Sequence, residues 1–204
     1  MLKEGYPPAL IENLGRQAGM PKGALALADD MGLNLVLKYE SQAGEHYGPK
    51  YIPHPAVEAL DKMLQEFNRP GRHKKAGFYD YQEDGQRQIW PELSTHFNSS
   101  LSVFDRQELI DRLLISQVLE AVWCMQEGVI NSIAAANLGS IYGWGFPSFK
   151  GGVIQYIADY GLEAFLARCK DLREKYGSRF RVPKKLEELV KDRELVGDVM
   201  GVGV

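Results

Sequence analysis

A repeated order of glycine, proline and aspartate residues restricts the fold of this chain more than any other feature. The first copy runs Gly19-Met20-Pro21 and then Gly23, Asp30 and Gly32, and the second runs Gly145-Phe146-Pro147 and then Gly152, Asp159 and Gly161. The glycine-to-aspartate-to-glycine spacing is the same in both, and the turn after the proline is three residues longer in the second. A fixed order of this kind indicates a duplicated structural unit. Two unrelated helix turns are the alternative interpretation.

The two copies differ in the length of chain that precedes them. From Asp105 to Gly145 there are 40 residues, whereas only 18 residues precede Gly19. The difference of about 22 residues is the length of one long helix. We therefore expect the first copy to lack its opening helix, so that the chain begins inside a structural unit.

Hydrophobic spacing predicts a mostly helical protein. Apolar residues recur at helical spacing, bounded by capping residues, glycine and proline. The predicted helices span 8–18, 23–41, 57–67, 105–128, 131–143, 152–160 and 162–176, and a last helix opens at Pro183. Asp105 and Asn131 are the predicted N-caps of the two helices that follow them. The glycines and prolines of 42–55 predict a loop.

One segment has the pattern of β-strands. Gly77 to Tyr81 is aromatic and β-prone, and a turn at Asp84-Gly85 leads to a second short strand that ends at Trp90. This pattern predicts one β-hairpin. We divide the chain into a first domain over 1–76, a hairpin and linker over 77–101, a second domain over 102–192 and a mobile tail over 193–204.

Charge and cysteine content limit the possible partners and compartment. The formal net charge is −3, which gives no broad basic surface for nucleic acid. No stretch approaches the roughly 20 apolar residues of a membrane span, and the N-terminus has no signal-peptide pattern. The two cysteines, Cys124 and Cys169, lie in apolar helical patterns and fit reduced thiols. We expect a cytoplasmic protein that neither binds nucleic acid nor crosses a membrane.

The histidines and the adjacent acids do not predict a catalytic or metal site. The four histidines are scattered without the spacing that places two ligands on one helical face: His46, His54, His73 and His96. Asp29 and Asp30 are neighbours whose side chains diverge on a helix, which favours a hydrogen-bonded structural role over a shared proton or metal.

Two further segments could bind a cofactor or a substrate. Gly143 to Ser148 matches the dinucleotide-binding glycine pattern only in part, with a proline in the turn and no strand before it, so a helix-to-helix turn is favoured. The basic run Arg72 to Lys75 could attract the phosphates of a nucleotide, although a solvated turn is the simpler interpretation. Tyr156, Tyr160 and Phe165 have the spacing of core packing.

Several of these segments resemble the paired C-terminal domains of 3-hydroxyacyl-CoA dehydrogenases, especially those of multifunctional fatty-acid oxidation enzymes. In the first half the resemblance is carried by Gly19 to Asp29, by Ala76 to Tyr81 and by Trp90-Pro91-Glu92-Leu93. In the second half the matching residues are Asp111-Arg112-Leu113-Leu114, Glu127-Gly128, Gly145-Phe146-Pro147, Gly151-Gly152, Tyr156, Asp159 and Gly161-Leu162. Their order covers nearly the whole chain up to about Leu189.

The resemblance implies a fold and a function. It implies two related helical units of the 6-phosphogluconate dehydrogenase C-terminal type with one small hairpin. It also implies that the intact enzyme oxidises a 3-hydroxyacyl-CoA with NAD, through a histidine and a glutamate in a separate nucleotide-binding domain. The family's asparagine would lie on the opening helix that the first copy lacks, and Asp111 stands at that place in the second copy. We therefore assign no catalytic, cofactor-binding or metal-binding residue to this chain, and its substrate-binding residues stay unknown.

Two functions follow from this interpretation. In the first, the chain is the substrate-side and dimerisation part of the dehydrogenase, inactive without its NAD-binding domain and partnered by acyl-CoA only in the intact enzyme. In the second, it is a self-standing helical module for dimerisation or acyl-CoA binding with no redox role. In both, a unit without its opening helix exposes apolar surface, so we expect a homo-oligomer.

Overall fold

The computed structural model describes residues 1–186, and it divides into two compact units. The first unit consists of Met1–Arg16 and Lys22–Phe104, and the second of Gln17–Pro21 and the chain from Asp105 onward. The hairpin and linker therefore lie in the first unit rather than in a segment of their own. The predicted tail, 193–204, and residues 187–192 lie outside the described residues.

The first unit contains five helices among its described residues. They are α1 (Pro8–Gln17), whose last residue is grouped with the second unit, α2 (Ala24–Met31), α3 (Leu33–Tyr47), α4 (Val57–Asp61), which continues as a π turn over Lys62–Glu66, and α5 (Leu93–His96). Proline occupies the first position of α1, where its missing N–H has no helical partner to lose. The predicted helices are present with three differences: the segment predicted as helical over 23–41 is divided at Gly32 into α2 and α3, α3 ends later than predicted, and α5 was not predicted.

Helix α3 is longer than the sequence predicted. We placed a loop over 42–55, but α3 continues through Gly44 to Tyr47. A single glycine costs a helix only about 1 kcal/mol, so it does not end one by itself. The helix ends where Gly48 adopts a φ of 61° and Pro49 follows, because proline cannot continue the hydrogen-bond ladder.

The predicted hairpin is present. Strands β1 (Tyr79–Tyr81) and β2 (Arg87–Ile89) are antiparallel, with Tyr79 opposite Ile89. Gly85 adopts a φ of 84° in the turn, a conformation that favours glycine. The hairpin packs on a core drawn from every helix of the unit: Leu2, Ile11, Leu25, Ala26, Leu33, Ala59, Leu60, Met63, Phe78, Tyr79, Trp90, Leu93 and Phe97.

The second unit contains four complete helices among its described residues. They are α6 (Arg106–Gln126), α7 (Ile133–Trp144), α8 (Val153–Tyr160) and α9 (Leu162–Tyr176). Asp105 caps α6, since its carboxylate accepts hydrogen bonds from the backbone N–H groups of Gln107 and Glu108. The predicted cap at Asn131 is wrong by one residue, because the Ser132 hydroxyl accepts from the N–H of Ala135. Residues 184–186 begin the helix predicted after Pro183.

The long helix α6 supplies much of the core of the second unit. Its apolar face, with Leu114, Ile115, Val118 and Val122, is fully buried against α8 and α9. The rings of Tyr156, Tyr160 and Phe165 meet edge to face in this core, as predicted. No helix among the described residues is long and apolar enough to cross a membrane.

The internal repeat is visible in the structure. Helices α2 and α8 each have 8 residues, and α3 and α9 each have 15. The glycine between each pair has nearly the same unusual conformation, with φ 86° and ψ 122° at Gly32 and φ 81° and ψ 121° at Gly161. Two unrelated turns would not share these lengths and angles. The predicted fold, mostly α with one hairpin, is confirmed.

Candidate functional site

The N-terminus of α2 is capped by a buried carboxylate. Oε1 of Glu12, on α1, accepts hydrogen bonds from the backbone N–H groups of Leu25 (2.6 Å) and Ala26 (3.3 Å). Its Oε2 accepts one from the hydroxyl of Tyr79 at 2.7 Å. A Cβ at Gly23 would lie 2.4 Å from Oε2, so glycine is required for this close approach. The carboxylate compensates the positive end of the helix dipole and fills the place where an external anion would bind.

A second buried carboxylate joins α2 to the hairpin. Asp29 is completely buried and accepts hydrogen bonds from the N–H groups of Phe78 (2.8 Å) and Tyr79 (2.9 Å) and from the hydroxyl of Tyr81 (3.0 Å). Burial raises the pKa of Asp29 above its ordinary value. These hydrogen bonds and the charge of Arg69 act to lower the pKa, but burial outweighs them. Burial and the neighbouring Asp29 likewise raise the pKa of Tyr81. This arrangement confirms the structural role predicted for Asp29.

One guanidinium group organises the backbone around the hairpin. The Nε of Arg69 donates to the carbonyl of Gly77 at 2.6 Å, and its NH2 group donates to the carbonyl of Tyr79 at 3.1 Å and to the carboxylate of Asp80. The same group lies 4.4 Å from the ring centroid of Trp90. The planar guanidinium of Arg69 makes all of these bonds within the fold, so its role is structural.

The second unit caps α8 in the same way. Oδ1 of Asn137, on α7, accepts from the N–H groups of Ile154 (2.8 Å) and Gln155 (3.2 Å), and the hydroxyl of Ser140 accepts from that of Val153 at 3.3 Å. A Cβ at Gly152 would lie 2.5 Å from Cα of Asn137. In both units, therefore, the helix N-terminus that follows the repeated glycine is already occupied by side chains of the preceding helix.

A buried ion-pair network links α6 to α9. Asp111 is 1% exposed, and its Oδ2 accepts from Nε of Arg168 at 2.7 Å and from the hydroxyl of Tyr160 at 3.2 Å. Glu108 accepts from the hydroxyl of Tyr176 and pairs with Lys175. Burial alone would raise the pKa of Glu108, but the bonds from Lys175 and Tyr176 outweigh it and lower this pKa. Burial and Asp111 raise the pKa of Tyr160 to about 12, so the phenol stays a donor.

Sequence reasoning missed these polar residues of the two units: Glu12, Arg69, Asn137 and Arg168. Their partners lie far away in sequence, so no local motif marks them. One signal was available, since Glu12 and Asn137 both stand in the helix just before the repeated glycine turn. The carboxylates and the amide are surrounded by fixed donors, an arrangement that stabilises structure rather than transferring protons.

The glycine turn at 143–148 does not have the geometry of a dinucleotide loop. It follows the end of α7, and the N–H of Phe146 donates to the carbonyl of Ser140 within that helix end. Gly145 adopts the left-handed conformation of a helix C-cap. A phosphate cradle needs free N–H groups between a strand and a helix. The residues present therefore do not fit the pyrophosphate of NAD, and the predicted helix-to-helix turn is confirmed.

The basic turn is largely neutralised by neighbouring acids. Arg72 pairs with Asp30 at 2.9 Å, and Lys75 pairs with Glu83 at 2.9 Å. The turn itself is a 3-10 turn over Arg72–Lys74. Within 1–186 no group of three or more histidine, cysteine, aspartate or glutamate side chains has the geometry of a metal site. His46, His54, His73 and His96 lie on different parts of the first unit, on α3, in the following loop, in the basic turn and on α5.

Comparisons with known proteins bear on both halves of the chain. Residues 1–81 match the family model described as "3-hydroxyacyl-CoA dehydrogenase, C-terminal domain". A protein of Psychrobacter arcticus named fatty acid oxidation complex subunit alpha is 28% identical over 200 residues, which is 93% of this chain and 27% of the relative. Its namesake in Idiomarina loihiensis is 27% identical over 197 residues, covering 94% and 27%. The chain spans about a quarter of the length of these relatives.

One solved structure shares the fold. It is the dehydrogenase part of multifunctional enzyme 1 from Caenorhabditis elegans, with a TM-score of 0.60 and 18% identity over 92% of this chain and 43% of that one. At this identity the likeness concerns the fold alone. Together with the match at residues 1–81 and the two relatives, it confirms the resemblance to the C-terminal domains of 3-hydroxyacyl-CoA dehydrogenases.

Proposed function

We propose that this chain is the C-terminal, substrate-side part of an NAD-dependent 3-hydroxyacyl-CoA dehydrogenase of fatty-acid β-oxidation, inactive without an NAD-binding domain. The single observation that carries the proposal is the match of residues 1–81 to the C-terminal domain of that family. The two alpha-subunit relatives extend it, since their similarity runs over more than nine tenths of the chain.

The architecture of the described residues supports the proposal that a different part of the enzyme binds NAD. Oxidation of a C3 hydroxyl requires NAD, a base within hydrogen-bond reach of the hydroxyl, and close contact between the hydride donor and acceptor. Within 1–186 the sheet is a two-stranded antiparallel hairpin, whereas NAD binds at the edge of a parallel sheet. The helix N-termini after Gly23 and Gly152 are filled by Glu12 and Asn137. The NAD-binding role therefore falls to another part of the enzyme.

Dimerisation is part of the proposal, and an exposed apolar surface on α7 and the following turn supports it. We call this the α7 surface; it consists of Leu138 (56% exposed) and Tyr142 (84%), one turn apart on α7, and Trp144 (40%) and Phe149 (70%) are also exposed at the end of the helix and in the turn after it. Apart from the chain neighbours and the backbone of α7 itself, no heavy atom lies within 4 Å of a Cβ built at Gly139 or Gly143, so a partner could approach the helix closely. Exposed apolar clusters of this kind often mark association sites. Both cysteines are free thiols, which fits the expected cytoplasmic location.

The same surface favours the alternative, a self-standing module for dimerisation or acyl-CoA binding with no redox role. The α7 surface needs no NAD-binding domain to act. Sedimentation tests whether the α7 surface causes self-association. Tyr142→Glu should weaken self-association, and the matched change Val129→Glu, at an exposed site outside this surface, should not.

The decisive experiment measures NADH formation from a short 3-hydroxyacyl-CoA. One sample holds the chain alone, and a second holds the chain with a separately expressed NAD-binding domain from one of the alpha-subunit relatives. We expect background rates from either part alone and turnover from the mixture. Turnover by the chain alone, above a heat-treated control and proportional to protein, would contradict the proposal. Acyl-CoA binding without turnover in any mixture would favour the alternative module.

A further inference from the structure

The α7 surface belongs to an uncharged helix that the described second unit leaves open on one side. Leu138 and Tyr142 are exposed there, and none of the 12 residues of α7 is charged. The opposite side of the helix holds Ala136 and Ser140 in the core. A helix face in contact with water normally carries charged side chains. The lack of charge on α7 therefore indicates that another polypeptide segment covers this face.

The described part of the chain stops close to the start of α7. The backbone N–H of Lys185 donates to Oε1 of Gln126, the last residue of α6, at 3.1 Å. Leu186 is fully buried in the core of the second unit. Ile130 and Ile133, which lead into α7, pack against the same core. The chain therefore passes residue 186 beside the loop that joins α6 to α7.

The residues that follow, which we call the 187–204 segment, are numerous enough to reach the α7 surface. Their 18 positions span up to about 60 Å when extended, whereas α7 is about 18 Å long. Eight of them are leucine, valine or methionine: Leu189, Val190, Leu195, Val196, Val199, Met200, Val202 and Val204. Contact between these aliphatic residues and the α7 surface would remove apolar area of both from water, which is favourable.

Charge favours the same contact. The 187–204 segment carries five acids and two cations, which gives it a formal net charge of −3. Lys150 follows Phe149 in the turn after α7, and its ammonium lies 5.5 Å from the ring centroids of Phe149 and Tyr156. Within 1–186 this ammonium pairs with no carboxylate. An acid of the segment would supply that partner, whereas a second copy of α7 would bring none.

We propose that the 187–204 segment binds the α7 surface of its own chain and competes there with a second copy of the chain. The tether favours the intramolecular contact, because it gives the segment an effective concentration of about 1 mM. The contact goes beyond the proposed function, and its regulatory effect rests on the dimerisation proposed above. Because a dimer needs two open faces, covering about two thirds of the faces weakens the Kd of self-association about tenfold.

Photocrosslinking of the full chain identifies what covers the α7 surface. The photoreactive amino acid p-benzoylphenylalanine replaces Tyr142 and keeps an aromatic ring there, and unlabelled chains are mixed with isotope-labelled chains before irradiation. We expect mass spectrometry to show crosslinks from this position to the 187–204 segment of the same isotope class. The same replacement at Tyr47, which is 57% exposed on α3, is the matched control and should give no crosslink to that segment.

Two double variants of the full chain separate the aliphatic residues of the segment from its charge. Leu195→Asp with Val196→Asp should abolish the crosslink, because two carboxylates cannot pack on the uncharged helix. In sedimentation it should tighten the Kd of self-association about tenfold. Lys191→Gln with Arg193→Gln changes the net charge by the same amount but keeps the aliphatic residues. It should keep the crosslink and leave the Kd within about twofold.

Three results would overturn the contact. The first is the lack of any crosslink between position 142 and the 187–204 segment. The second is a crosslink only to chains of the other isotope class, which would make a second copy the occupant. The third is a crosslink that the aspartate variant leaves unchanged.

Failure of the contact and failure of the proposed dimerisation give different results. A dimer that Tyr142→Glu weakens, without any crosslink to the 187–204 segment, would refute the contact and support the dimerisation. A chain that stays monomeric in every variant would contradict the dimerisation and the regulation that rests on it. A crosslink within one isotope class would support the contact in that case as well.

Discussion

Glu12 and Asn137 play the same part in the two units. Each stands on the helix before a repeated glycine, and each accepts two hydrogen bonds from N–H groups in the first turn of the next helix. The glycines at 23 and 152 exist because the capping side chain comes too close for a Cβ. A carboxylate and an amide are thus interchangeable as caps, but the carboxylate of Glu12 binds a third donor, Tyr79.

Because only Glu12 binds a third donor, replacing the capping residue by alanine should lower the free energy of unfolding more in the first unit than in the second. Glu12→Ala leaves two N–H groups and a hydroxyl without a partner and should lower the free energy of unfolding by about 3 kcal/mol, whereas Asn137→Ala should cost about 1.5 kcal/mol. Urea unfolding measures both, and hydrogen exchange at Leu25 and Ile154 assigns each loss to its unit. Asn13→Ala, at an exposed neighbouring site, should change little. Equal costs at Glu12 and Asn137 would contradict the role of Tyr79.

The close approach of Gly77 to Asp29 leads to a second prediction, in which the effects of two substitutions are coupled. A Cβ at this position would lie 2.1 Å from Oδ1 of Asp29, so Gly77→Ala forces the carboxylate away from the hairpin. We expect a loss of about 2 to 3 kcal/mol. In an Asp29→Ala background the same change should cost much less, because the clash is gone. Thermal unfolding of the four proteins gives the coupling, and additive losses would contradict the contact.

Gly44→Ala is the matched control for that series. Gly44 lies inside α3, and a Cβ there would make only ordinary contact with Tyr51 at 3.5 Å. Alanine favours the helix, so a gain of about 0.5 to 1 kcal/mol is expected.

The pair Asp111 and Arg168 predicts a large cost for removing one partner. Arg168→Met leaves a 1% exposed carboxylate without its cation and should lower the free energy of unfolding by about 3 to 5 kcal/mol. The double variant Asp111→Leu with Arg168→Met should recover much of this loss, because no charge remains buried. Urea unfolding of the unsubstituted chain, the two single variants and the double variant measures the coupling energy between Asp111 and Arg168. A double variant whose loss of stability equals the sum of the two single losses would argue against a buried pair.

The sequence predicted what depends on local patterns. The hairpin followed from aromatic strand residues around Asp84-Gly85, and the duplication followed from glycines that keep their spacing because each supports a special backbone angle or a close approach. It did not predict the end of α3, where one glycine stays helical and the helix ends at the next. It also did not predict the partners of Glu12, Asp29 and Asp111, because a buried acid binds donors brought close only by the fold.

The faces of α3 and α9 show the same limit from another side. Met31 and Tyr39, both exposed, occupy the places that Tyr160 and Arg168 have in the second unit. The two helix pairs have therefore diverged in side-chain chemistry while keeping the same helix lengths and the same glycine conformation between them.

Glu108 predicts how the second unit responds to acid. Its pKa is lowered from the ordinary value of 4.5, because the bonds from Lys175 and Tyr176 outweigh burial. Below 4.5 the unfolded chain binds more protons at this residue than the folded chain does, so stability rises with pH there. The contribution is therefore fully present above the ordinary pKa and is lost as the pH falls through 4.5 towards the folded pKa. In the first unit the pKa of Asp29 is raised, so this residue makes the free energy of unfolding fall, rather than rise, as the pH increases.

The measurement must therefore report on the second unit alone. Hydrogen exchange at Ile115 and Val118, in the buried part of α6, provides that readout between about pH 3 and pH 6. In Glu108→Gln the uncharged amide keeps an acceptor for Tyr176 but no longer titrates, so protection of these two sites should fall less steeply with acid than in the unsubstituted chain. Glu174→Gln removes a carboxylate at an exposed position of α9 and should leave the slope unchanged. An identical slope in Glu108→Gln and in the unsubstituted chain would show that the ion pair with Lys175 does not stabilise the second unit.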